Sequence, residues 1–189
     1  AVQVGSGQVA ALLGLDGAVV KQVCLEASSR GVVSAANFNS PGQVVIAGEK
    51  AAVEFAIELA KAKGCRKAVV LPVSVPVHTA LMQPAADRLA KEMAGLSWRN
   101  LEVPLVNNVE AKGIQEAGEV QRSLVRQLPS SVLWEDSVRT MVKMGVNTFV
   151  EIGPGTVLSG LIKRIAPDAM TVSIQDPASL EVALTKLNI

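Results

Sequence analysis

A chain of 189 residues with 49% hydrophobic and 19% charged side chains can bury one substantial core or two small ones, and its composition excludes disorder and fibres. A net charge of +1 gives no basic footprint for nucleic acid, and 3% aromatics without a tyrosine leave few platforms for stacking single-stranded bases. No run of roughly 18 apolar residues predicts a membrane span, and Cys24 and Cys65, isolated from each other and from the one histidine, suggest neither a metal site nor a disulfide and fit a reducing cytoplasm.

No initiator methionine or signal pattern opens the chain, and Ala1 to Gln8 reads as a chain entered midway. The apolar run Val9 to Leu15 ends at Asp16-Gly17, where Asp16 is a good N-cap for a helix that turns Val20, Val23, Cys24 and Ala27 inward and stops near Gly31. Strands over 32–39 and 43–47 follow, joined by the turn Ser40-Pro41-Gly42. A helix with Val53, Ala56, Ile57 and Ala60 inward ends at Gly64, and Lys67 to Leu71 is the next strand. The resulting β-α-β-β-α-β order over 8–72 is that of a ferredoxin-like subdomain.

Pro72 and Pro76 make the next stretch a loop leaving a strand end. His78 stands at its far end, before a helix whose Met82, Ala85, Ala86, Leu89 and Met93 share one face. As the only histidine it is the side chain best suited to general-base work near neutral pH. On position alone a satisfied core or capping histidine is the favoured reading. Leu101 to Val106 is expected as a strand, and Val109 to Gly118 as a polar, solvated connection. A helix with Val120, Leu124 and Leu128 inward stops at Pro129. Ser131 is expected to cap the next helix, whose inward face is Trp134, Val138, Met141 and Val142. Thr148 to Ile152 reads as a buried strand running into Gly153-Pro154-Gly155 and a helix bearing Val157, Leu158, Leu161 and Ile165. The strand 170–174 and the helix 177–187 complete a half that alternates strand and helix, which implies a parallel sheet.

A histidine base needs a nucleophile and a group that holds its ring. No G-x-S-x-G elbow occurs, Gly5-Ser6-Gly7 is too short to be one, and Ser74 lies in a proline-stiffened segment that need not face His78. Gly153-Pro154-Gly155 could present helix N-terminal amides to an anion or serve only as a tight turn. Lys61, Lys63, Arg66 and Lys67, joined in principle by Lys163 and Arg164, form either a solvated face or a docking surface for an acidic partner.

Five ordered blocks carry a resemblance: Asn37-Phe-Asn-Ser-Pro-Gly-Gln-Val-Val-Ile-Ala-Gly48, Leu71-Pro-Val-Ser-Val-Pro-Val-His78, Pro104-Leu-Val-Asn-Asn108, Leu124-Val-Arg-Gln-Leu128 and Glu151-Ile-Gly-Pro-Gly-Thr-Val-Leu158. Together they resemble the malonyl-CoA:acyl carrier protein transacylases of bacterial fatty acid synthesis. The resemblance implies a ferredoxin-like subdomain (8–72) and the C-terminal part of an α/β-hydrolase-like parallel-sheet domain (73–189). It also implies transfer of malonyl from coenzyme A to acyl carrier protein through a serine ester, with His78 activating the serine and the backbone carbonyl of Gln127 holding the imidazole. On this reading the coenzyme A thioester and the phosphopantetheine arm are substrates, no separate cofactor or metal is needed, and the place of work is the cytoplasm. The family's serine motif, its glutamine-rich oxyanion segment and the arginine that binds the malonyl carboxylate have no match here, which implies an incomplete enzyme, inactive alone, that needs the missing N-terminal part. The alternative is a non-catalytic ferredoxin-like module that docks an acidic partner such as acyl carrier protein through its basic cluster.

Overall fold

The computed structural model describes Gly5 and residues 7–188. The chain is α/β, and it divides into two compact units, Ala1–Ser137 and Val138–Ile189.

The first unit begins with β1 (Gly7–Leu13), α1 (Gly17–Ala27), β2 (Val33–Ser40), β3 (Gln43–Glu49), α2 (Lys50–Ala62) and β4 (Lys67–Val70). The strands form one antiparallel sheet in the order β2-β3-β1-β4. Alternation in β1 explains its unbroken apolar run, since successive side chains point to opposite faces. Ala10 and Leu12 join Val44 and Ile46 under the two helices, whereas Val9, Ala36, Val45 and Ala47 cluster on the other face. Asp16 caps α1 by accepting from Ala18 N–H at 2.8 Å, and the buried residues of α1 are Val20, Val23, Cys24 and Ala27. From α2, Ala52, Val53, Ala56 and Ala60 are buried, with Ile57 half-buried beside them. Fully burying a Val or Leu side chain contributes about 1.5–3 kcal/mol, so this sandwich of sheet and helices is the main store of stability in the unit.

A loop and a short 3₁₀ turn (Ala80–Met82) lead from β4 to α3 (Gln83–Ala94). The expected strand over 101–106 is confined to β5 (Leu105–Val106), which pairs with β6 (Gly113–Ile114). The stretch 109–118 is therefore half of a hairpin and not a solvated connection. The reason is apolar burial that polarity counting overlooks: Ala111 and Ile114 are buried, and Asn107 closes the turn by accepting from Glu110 N–H at 2.8 Å. Then come α4 (Ala117–Arg126) and α5 (Trp134–Lys143), the second of which crosses the division between units. Ser131 does not cap α5. Its hydroxyl donates instead to the Ala35 carbonyl of β2 at 2.6 Å.

The second unit continues with β7 (Thr148–Ile152), α6 (Val157–Ile165), β8 (Met170–Ile174) and α7 (Pro177–Leu187). The strands β7 and β8 run parallel, in register from Thr148↔Met170 to Ile152↔Ile174. The expectation of a buried β7 fails: Phe149 is buried, but Val150 is 42% and Ile152 80% exposed. Val142, expected inward on α5, is exposed as well. A hydrophobic run marks a strand without saying what covers it.

Candidate active site

The stretch from Leu71 to Thr79 is shaped by its prolines and by a few backbone ties. Leu71 N–H still reaches Val9 O at 2.9 Å, and Gly7 N–H reaches Ser74 O at 3.1 Å, so the loop stays fastened to β1 after regular pairing ends. Pro76 is fully buried, and a Cβ on Gly7 would sit 2.7 Å from its Cδ; only glycine leaves room for it. Thr79, also fully buried, donates its hydroxyl to Pro76 O at 2.7 Å and accepts from Leu81 N–H at 3.3 Å, capping the turn that leads into α3. Between these anchors His78 has φ 59°, in the left-handed region. Such a backbone costs on the order of 1–3 kcal/mol in a non-glycine residue and persists where its surroundings enforce it.

The half-buried His78 ring is held from the C-terminal end of α4. The last turn of a helix leaves carbonyls without intrahelical partners, and Pro129, which cannot continue the helix, follows at once. The carbonyls of Gln127 and Ser130 lie 3.0 and 3.1 Å from His78 Nδ1. Carbonyl oxygens only accept, so Nδ1 must carry the proton and donate to both. In the neutral ring Nε2 is then the bare nitrogen, with its lone pair available and no hydrogen-bond partner among the described residues. Geometry alone has selected the tautomer that a general base requires.

The two residues singled out from sequence, His78 and Gln127, are thus brought together. Two others were missed. Ser130 supplies the second carbonyl, and Asn108 contacts the Gln127 side chain, Nδ2 to Oε1 at 3.5 Å. Pro129 was the available signal that α4 ends here and turns its last carbonyls outward; nothing local says that two of them converge on a histidine 49 residues away.

Other candidates fare differently. Ser74 has no hydrogen bond to His78 among the described residues, and Ser6 lies outside them. Burial pushes the Cys24 thiol up to about 12, which leaves it inert as a nucleophile at neutral pH. Among the described residues no group of three or more His, Cys, Asp or Glu could hold a metal ion. In the basic cluster Lys63 pairs with Glu26 at 2.9 Å, and Arg66 packs along Gly14. The Lys63 hydrogen bond, then that of Gln22, holds the Glu26 carboxyl below the usual range.

The amides that follow Gly153-Pro154-Gly155 are already occupied. The Glu151 carboxylate accepts from Leu158 N–H at 3.0 Å and Ser159 N–H at 2.8 Å, and Gln175 Oε1 accepts from Gly155 N–H at 2.8 Å. This is capping of α6 by a side chain from the preceding strand, and it leaves these donors no vacancy for an external anion. Burial alone would push the Glu151 carboxyl up, but the hydrogen bonds from the Ser159 hydroxyl and from the two amides outweigh it and lower its pKa. A depressed folded-state pKa means that the contribution is present above the unfolded carboxyl value and is lost as pH falls through the folded one. Glu151→Ala is expected to destabilise the second unit by about 1 kcal/mol at neutral pH. The difference from wild type should shrink on acidification, as read from amide exchange along α6. Equal exchange in both proteins at neutral pH would refute the cap.

Among the described residues no helix is long and apolar enough to cross a membrane. The family profile described as acyl transferase domain matches residues 4–176. The malonyl CoA-acyl carrier protein transacylase of Salmonella typhimurium (strain LT2) is 48% identical over 186 residues, which cover 98% of this chain and 60% of that protein. Among solved structures, the malonyl-CoA:acyl carrier protein transacylase of Xanthomonas oryzae pv. oryzae superposes with a TM-score of 0.92 at 46% identity, covering 96% of this chain and 58% of that one. A malonyl-transacylase in complex with a type II polyketide synthase acyl-carrier protein does so with a TM-score of 0.94 at 45% identity, covering 98% of this chain and 60% of that one. The chain therefore spans about 60% of the length of the curated relatives it matches.

Proposed function

This chain belongs to the acyl transferase domain family, and on that ground we propose that it is the base-bearing part of an enzyme that moves malonyl from coenzyme A to acyl carrier protein in fatty acid synthesis. The observation that carries the reading is the ring of His78, whose Nδ1–H is committed to two carbonyls while Nε2 has no hydrogen-bond partner among the described residues. In the proposed reaction Nε2 takes the proton of a serine hydroxyl as its oxygen adds to the malonyl thioester carbonyl, and returns the proton to the departing coenzyme A thiolate. The thiol of the phosphopantetheine arm then attacks the serine ester, again with His78 as base, and the serine recovers its proton. Gln127 orients the ring through its backbone oxygen. Coenzyme A thioester and phosphopantetheine arm are substrates, and the chemistry needs no resident cofactor or metal.

The antiparallel order β2-β3-β1-β4 with two helices supports a ferredoxin-like subdomain over 8–72; the assignment of 73–189 to the C-terminal part of an α/β-hydrolase-like domain rests on the resemblance, with the parallel pair β7–β8 in accord with it and the antiparallel pair β5–β6 outside it. Free thiols at Cys24 and Cys65 accord with work in the cytoplasm. Residues 1–189 contain no G-x-S-x-G elbow, so on this proposal they do not complete the transfer by themselves.

The test is a chimera in which this chain replaces its counterpart in the Salmonella relative. Labelled malonyl should pass from coenzyme A to acyl carrier protein with ping-pong kinetics in the chimera, and should not pass with residues 1–189 alone. A folded chimera without transfer would overturn the reading of the site; transfer by residues 1–189 alone would overturn the claim that the serine lies elsewhere.

A further inference from the structure

The turn that holds the His78 ring is fastened to the edge of the small sheet by a feature of β2. Pairing of β2 with β3 passes from Ala35↔Ile46 to Asn37↔Val45, so Ala36 is an extra residue in the strand, a β-bulge. In a regular strand successive carbonyls point to opposite sides, and only one of two neighbours can face outward. The bulge breaks this rule. Ala35 O accepts from the Ser131 hydroxyl at 2.6 Å, and Ala36 O accepts from Val132 N–H at 2.8 Å. Phe38 N–H returns a bond to Val132 O at 2.9 Å, completing a parallel bridge between Asn37 and Val132. Two consecutive carbonyls of one edge strand thus grip two consecutive residues of the turn.

The grip matters because of peptide planarity. The Ser130 carbonyl shares its rigid plane with the N–H and Cα of Ser131. Fixing Ser131 from its side chain and Val132 from its backbone therefore fixes the direction of the Ser130 oxygen, which lies 3.1 Å from His78 Nδ1. We propose that Ser131 is a positioning residue for His78: through its hydroxyl on the Ala36 bulge it aims the Ser130 carbonyl and keeps the imidazole in the Nδ1–H tautomer. The proposal rests on the reading of His78 as the base, but its first test does not need the reaction.

The chain contains one histidine, so selectively ¹⁵N-labelled protein reports a single ring. Wild type is expected to show the Nδ1–H tautomer with slow exchange of that proton. In Ser131→Ala the exchange should quicken roughly fivefold, as for loss of one net hydrogen bond, with the tautomer shifting toward Nε2–H. Ser131→Thr should restore both, and Ser131→Cys, a weak donor of similar size, should fall between. Unfolding of Ser131→Ala would leave the Cys and Thr pair to decide by their order. In the chimera the same series should lower kcat and leave KM unchanged. Wild-type tautomer and exchange in a folded Ser131→Ala or Ser131→Cys would overturn the proposal, as would a loss in Ser131→Thr equal to that in Ser131→Ala. If the ring responds but the chimera transfers nothing, the positioning role stands and the transferase reading fails.

Discussion

On the proposed function, replacing His78 in the chimera with Asn is expected to lower the rate of serine acylation by roughly 100- to 10,000-fold, the usual contribution of a positioned general base. Asn is the informative substitute because His78 sits at φ 59°, a conformation that Asn adopts at less cost than Ala; a loss in His78→Asn therefore reports on chemistry more than on the loop. The expected contrast is with Gln127. Its contribution to the ring comes through the main-chain oxygen, which survives any ordinary substitution, and among the described residues its side chain has one hydrogen bond, a long one of 3.5 Å from Asn108. Gln127→Ala should therefore cost no more than roughly tenfold, by slackening the end of α4, the equivalent of one typical hydrogen bond. Single-turnover formation of the malonyl ester measures both. Wild-type acylation in His78→Asn would remove the base from the mechanism, and equal losses at the two positions would mean that the Gln127 side chain, not its carbonyl, does the orienting.

What could be read from the sequence depended on where each residue's partner lies. The buried face of α1, Val20, Val23, Cys24 and Ala27, follows from helical spacing alone, and Asp16 as its cap follows from an N–H two residues away. Ser131 has the same chemistry as Asp16, a side-chain oxygen just ahead of an apolar helix, yet it bonds to Ala35, 96 residues earlier. Local preference cannot choose between these fates; the tertiary acceptor does. Glu151 is the reverse case. It reads as one more strand residue, and becomes a cap because the Gly153-Pro154-Gly155 turn brings the amides of Leu158 and Ser159 back onto its carboxylate. The pairing of His78 with the Gln127 carbonyl was legible through resemblance, not through periodicity. The second carbonyl, the bulge that fixes it and the hairpin of β5 and β6 were not, since each arises from backbone groups or small side chains whose meaning appears only when distant segments meet.

Among single substitutions outside the site, Gly48→Ala is expected to produce one of the largest losses of stability, about 3 kcal/mol or more. Gly48 pairs with Gln8 of β1 on one side and Val33 of β2 on the other. A Cβ placed on it would overlap the Val32 carbonyl oxygen and lie 2.6 Å from Val33 Cα. These are backbone atoms, which cannot swing aside as a side chain tip would. Nor can the start of β2 retreat without loss, because Glu49 N–H donates to Val32 O at 2.7 Å and Glu49 Oε2 accepts from Val32 N–H at 2.7 Å. Relief of the overlap therefore breaks hydrogen bonds or shifts β2, the strand whose bulge grips Ser131 and Val132. Consequently Gly48→Ala should disturb the His78 ring signal as well as the urea midpoint, although the two residues are not in hydrogen-bond contact. Gly95→Ala is the matched control: its φ is −87° and nothing lies within 4 Å of the added carbon, so stability should stay within about 0.5 kcal/mol of wild type. Coincident midpoints for the two variants would show that β2 and β3 do not approach as closely at Gly48 as this packing requires.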